Sequence, residues 1–73
     1  YKRGYMMRIS YKKLWKLLLD KNLNKTDLRV AVGMSSGTLA KLSKDEAVSM
    51  EVLAKICAYL KCNIGDIMEF KNE

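Results

Sequence analysis

Residues 24 to 44, NKTDLRVAVGMSSGTLAKLSK, constrain the fold more than any other stretch, because two short helical patterns with separate caps stand almost end to end. Asn24 is a side-chain cap for a helix over 25 to 32, and Gly33 ends it where a residue at positive φ is wanted. Ser35 then caps a second helix over 36 to 43. The first helix places Leu28, Ala31 and Val32 on one side. The second turns Leu39 and Leu42 inward and Gly37, Lys41 and Lys44 outward, at i, i+4 and i+7. Two helices joined by so tight a turn read as a helix-turn-helix, and lysines along the outward side of the second suit a negatively charged groove.

The flanks complete a small helical plan. After a basic lead, YMMRI alternates like a short strand, and the adjacent Met6 and Met7 mark a candidate natural start. Ser10 is the expected cap of a first helix, YKKLWKLLLDK, with Tyr11, Leu14, Trp15 and Leu18 on one face and Trp15 as a core anchor. Ser49 caps another helix, MEVLAKICAYL, in which Glu51 and Lys55 form an i, i+4 pair. Asn63 caps a last turn, IGDI, before MEFK alternates again. The expected architecture is an all-α, compact five-helix domain over residues 10–73, preceded by an arm or strand over 1–9, with a small two-stranded sheet where the ends pair. Tyr5, Met7, Ile9, Met68 and Phe70 are the candidates for a surface that a second copy covers.

Composition narrows the class. At 73 residues with 49% hydrophobic residues and no proline, the chain suits one compact domain, although burial reaches only roughly 60% of the unfolded surface at this size. No run approaches the roughly 20 apolar residues of a membrane span, and no cleavable leader pattern opens the sequence, so a soluble, cytoplasmic and nucleoid-associated protein is expected. The net charge of +6 is uneven: residues 1–30 hold nine Lys or Arg against two acids, a balance of +7, and residues 31–73 hold five against six, a balance of −1. The basic half contains helix 1 and the start of the motif, which fits a polyanionic partner, although Lys12, Lys13 and Lys16 also read as the wet face of an amphipathic helix.

There is no histidine, and two cysteines cannot complete a zinc site. Cys57 lies on an apolar helix face and reads as a small hydrophobe, with no disulfide to Cys62 expected in a reducing compartment. Without imidazole, a glycine-rich phosphate loop or paired acids on one face, the chain lacks the first requirements of an enzyme, and no cofactor, metal or small-molecule ligand is expected.

The spacing of Leu28, Val32, Met34, Leu39 and Leu42, with Gly33 at the turn and Ser35 to Leu39 opening the second helix, resembles the Cro/C1-type (XRE) helix-turn-helix family of bacterial and phage DNA-binding proteins. Among its short single-domain members the chain is similar to VanU-type regulators of glycopeptide-resistance operons. It departs from the family pattern at Arg29, where a small residue is common between the helices. The resemblance implies a lambda-repressor-like fold and a transcriptional regulator of duplex DNA. Carried over position by position, it puts Ser36, Gly37 and Lys41 against bases with Thr38 flanking them, and Asn24, Lys25, Ser35, Ser43 and Lys44 against phosphates. It further implies a homodimer on a palindromic operator. The alternative in the same fold is a protein-interaction adaptor or antitoxin. An RNA-binding role ranks third, since a lone Phe70 makes no stacking platform.

Overall fold

A computed structural model describes residues 7–72, in which β1 (Arg8–Ser10) leads into four α-helices, a 3-10 turn at Ile64–Asp66 and β2 (Glu69–Lys71). The helices are α1 (Lys12–Asp20), α2 (Lys25–Val32), α3 (Ser36–Ser43) and α4 (Met50–Leu60). The expected fifth helix is therefore a single 3-10 turn, and the domain is mostly helical rather than all-α. Asn63 does start that turn, bonding the Ile64 amide at 2.8 Å while its own N–H donates to Asp66 at 3.0 Å. The chain then leaves the helical path because Ile67 drops into the core, fully buried, and the next residues run extended into β2.

Local chemistry sets the ends of α2 and α3 where the caps stand. Asn24 Oδ1 accepts from the Asp27 N–H at 2.7 Å, and Asp27 Oδ2 accepts from the Asn24 N–H at 3.0 Å, a reciprocal capping box. Gly33 ends α2 at φ 79°, with the N–H groups of Gly33 and Met34 both donating to the Arg29 carbonyl. No atom lies within 4 Å of where a Cβ would sit, so conformation rather than crowding asks for glycine. Ser35 Oγ accepts from the Thr38 N–H at 3.1 Å, and Ser49 starts α4 in the same way through Val52.

Helix α1 departs from expectation at its start. Ser10 is taken into β1, where it faces Glu69, and the position before the helix is Tyr11, which gives no side-chain cap. A long bond of 3.4 Å from the Lys12 N–H to Ser10 Oγ is all that remains of the expected cap. Helix α4 ends on Lys61 in the left-handed region (φ 56°), and the Cys62 N–H closes back on the Cys57 carbonyl at 3.0 Å. This motif brings residues such as 57 and 62 together as an apolar pair. Both thiols are free and half-buried, and burial first, then the neighbouring Cys57, pushes the Cys62 thiol up in pKa.

The core runs through the centre of the bundle: Tyr11, Leu14 and Leu18 of the α1 segment, Leu28, Met34 and Leu42 of the motif, Leu53, Ile56 and Leu60 of α4, and Ile67. Trp15 and Leu39 are partly buried against it, and Ala31 is exposed rather than inward. The ends pair within the chain as an antiparallel sheet, Arg8 opposite Lys71, Ile9 opposite Phe70 and Ser10 opposite Glu69.

Candidate nucleic-acid interface

Helix α3 is held by one apolar side, with Leu42 fully buried and Leu39 half-buried, so its other side faces solvent. Ser36, Gly37 and Lys41 lie on that exposed side. Thr38 is half-buried, and its hydroxyl sits 3.1 Å from Ser35 Oγ. Its first task is to support the start of α3. That role is invisible to a reading based on helix faces, although a hydroxyl three residues after a serine cap is the local signal for it. Around Gly37 the nearest atom to an added Cβ is Ser35 Oγ at 3.7 Å, so the missing side chain leaves an open, flat spot on the helix.

The residues assigned to phosphate fall into two groups. Asn24, Lys25 and Ser35 are exposed at the starts of α2 and α3, where the first N–H groups of a helix have no intrahelical acceptor and the helix dipole favours an anion. Ser43 and Lys44 are exposed at the far end of α3. One side chain joins the groups: Lys25 Nζ donates to Ser43 Oγ at 3.2 Å and lies 4.3 Å above the Trp15 ring. Three helices thus meet at one ammonium, in a cation–π contact with Trp15, which also packs against the core as expected.

Of the two acids that follow α3, Asp45 has its carboxylate engaged elsewhere. Asp45 Oδ1 accepts the Tyr11 N–H at 3.0 Å, at the uncapped start of α1, where its negative charge is favourable. The Tyr11 hydroxyl donates to the Glu46 carbonyl at 2.8 Å. Burial first, and Asp45 second, push the Tyr11 phenol up from its ordinary value. Lys13 is likewise engaged: it donates to the Gly65 carbonyl at 3.2 Å and sits 3.9 Å from Glu69, tying α1 to the C-terminal turn. Among the described residues there is no group of three or more potential metal ligands, and no helix is long and apolar enough to cross a membrane.

A capped α2, a left-handed glycine turn and an α3 with one buried and one open side define a helix-turn-helix domain, and the Cro/C1-type HTH DNA-binding domain matches residues 13–73. The chain belongs to that family. It is 30% identical over 59 residues to the uncharacterized HTH-type transcriptional regulator YozG of Bacillus subtilis (strain 168), covering 78% of this chain and 70% of that protein. It is also similar to the transcriptional regulator VanUg, whose crystal structure superposes with a TM-score of 0.90 at 55% identity, over 94% of this chain and 95% of that one.

Proposed function

We propose that the protein is a sequence-specific regulator of transcription that lays α3 into the major groove of duplex DNA. The observation that carries this is the open side of α3, where Ser36, Gly37 and Lys41 stand exposed. In this reading Lys41 reaches guanine O6 or N7, Ser36 bonds a base edge, Gly37 lets the helix approach closely, and Thr38 flanks them. Asn24, Lys25, Ser35, Ser43 and Lys44 hold backbone phosphates and set the register. Selection of bound fragments from a random duplex pool tests it. An enriched site whose affinity falls steeply with salt is expected; a pool that stays random, or no binding at all, would sink the reading.

We further propose a homodimer on a palindromic operator, since one short helix reads few base pairs and two-fold pairing sets half-sites ~34 Å apart. An apolar groove of about 400 Å³ supports this, with Ile9, Val48, Met50, Leu53, Ile64 and Phe70 in its walls and Glu69 as the one charged lining residue. For a chain of charge +6, a face with no lysine or arginine among the described residues is where two copies approach at least electrostatic cost. Val48, in the loop after α3, also lines this groove. Of the sheet residues expected at such a surface, Met7 and Phe70 are exposed, Ile9 and Met68 are half-buried against the core, and Tyr5 lies outside the described residues. Sedimentation over a wide concentration range, with stoichiometry on the selected site, tests the dimer. One protein per site at saturation would falsify it.

A further inference from the structure

The terminal sheet has two chemically opposite faces. Cross-strand partners share a face, and so do residues two apart along a strand. The register therefore groups Arg8, Ser10, Glu69 and Lys71 on one face and Ile9 and Phe70 on the other. The polar face borders a notch of about 430 Å³ whose lining includes Arg8, Lys12, Lys71, Trp15 and Ser43, with Asp45 also in the wall.

Two cations directly opposite each other in a strand pair are destabilising. Arg8 and Lys71 stand in that arrangement. Glu69 lies 3.8 Å from Lys71 but also 3.9 Å from Lys13, so it offsets the pair only in part. Among the described residues no acid lies within 4.0 Å of Arg8 or Lys12 in an ion pair, and one oxygen of Asp45 is engaged with the Tyr11 N–H. The notch holds a surplus of positive charge that an added anion would relieve.

This surplus is continuous with the motif. Ser43, in the notch wall, accepts from Lys25, and Trp15, in the same wall, lies under the Lys25 ammonium. A polyanion held at Lys25 meets the wall of the notch directly, at Ser43 and Trp15. We infer that the polar face of the sheet is an additional site for the DNA backbone, in which Arg8 and Lys71 hold a phosphodiester next to those reached from the motif. Arg8 supplies a planar fork that suits phosphate oxygens, and Lys71 and Lys12 supply point charges. The inference rests on the duplex-DNA reading above.

The test is a salt series with duplex DNA, selected and random, for the parent, Arg8→Gln, Lys71→Gln, Arg8→Lys and Lys55→Gln. Lys55 is the control, a lysine on α4 paired with Glu51 at 3.8 Å and outside the notch. Arg8→Gln and Lys71→Gln should each lower the slope of log K against log salt by about 0.9 and weaken both duplexes roughly five- to tenfold near ~0.1 M salt. Arg8→Lys should keep the slope, and Lys55→Gln should match the parent. Removing one of two opposed cations should leave the thermal midpoint unchanged or raised, which separates a lost contact from a lost fold. Slopes for Arg8→Gln and Lys71→Gln equal to that of Lys55→Gln would overturn the site while leaving DNA binding intact. A parent that binds no duplex would remove the underlying reading, and the site with it.

Discussion

The helix-turn-helix and the terminal sheet of this small domain are put together by opposite routes. In α2 and α3 the start of each helix is set within three residues: Asn24 with Asp27, and Ser35 with Thr38. In the sheet local alternation marks the strands, but their pairing is decided at a distance. Three residues at one end of the chain meet three at the other, Arg8 opposite Lys71, and an isolated pair of strands is marginal in water. That sheet exists because the helices deliver its strands to each other, with Lys13 of α1 holding Gly65 and the buried Ile67 anchoring the approach to β2. The starts of α2 and α3 are thus specified locally, whereas the sheet depends on the whole fold.

The largest expected effect tests whether stability divides as this comparison implies. Leu42, fully buried in α3, should cost about 2–5 kcal/mol as Leu42→Ala, while Phe70→Ala, with Phe70 59% exposed on β2, should change the monomer by less than about 0.5 kcal/mol. Chemical denaturation of both variants measures this. Equal losses would mean that the sheet holds the domain together as much as the motif does.

Next comes function at constant stability. Lys41→Ala removes an exposed ammonium from α3, so the denaturation midpoint should stay put while affinity for the selected site falls by about 1–3 kcal/mol. Thr38→Ala should behave differently, losing some stability as well, because its hydroxyl meets Ser35 at the helix start. A Lys41→Ala protein that binds the selected site like the parent would remove this residue from the base-reading set.

Legibility follows the same division. The bounds of α2 and α3, the glycine turn and the caps at Asn24, Ser35, Ser49 and Asn63 were readable because their determinants lie within a few residues of each other. Ser10 misled because a cap and a strand end look alike locally, and its pairing with Glu69 is decided at the far end of the chain. The fifth helix failed for a similar reason, since the burial of Ile67 ends the turn and no local pattern announces it. In the candidate interface the exposed side of α3 followed from helical period alone. The bond from Tyr11 to Asp45 and the meeting of Lys25, Trp15 and Ser43 are tertiary, so one-dimensional spacing held no trace of them.

Tyr11 is where the two regions touch, joining the residue after β1 to the loop after α3. Tyr11→Phe keeps the ring but removes the bond to the Glu46 carbonyl, at an expected cost of about 0.5–1.5 kcal/mol. The phenol is raised in the folded state, so its contribution is complete below the ordinary tyrosine value of about 10 and is lost as pH rises through the folded value. Stability should therefore fall on the alkaline side in the parent, and less steeply in Tyr11→Phe. Parallel alkaline limbs for the two proteins would show that folding does not raise the Tyr11 phenol.

The smallest effect concerns the one position where the locally specified motif works against its own stability. Gly37 lies inside the first turns of α3, has no positive φ, and leaves ordinary space for a Cβ, 3.7 Å from Ser35 Oγ. Gly37→Ala should therefore stabilise the domain by about 0.5–1 kcal/mol through helix propensity and reduced freedom of the unfolded chain. If the bare backbone is there to approach DNA, the same variant should bind the selected duplex several-fold more weakly while melting later. Stability and affinity then move in opposite directions, which a general loss of structure cannot produce. Thermal melts and binding isotherms on one preparation decide it: a more stable variant with unchanged affinity would mean that no DNA atom comes close at Gly37.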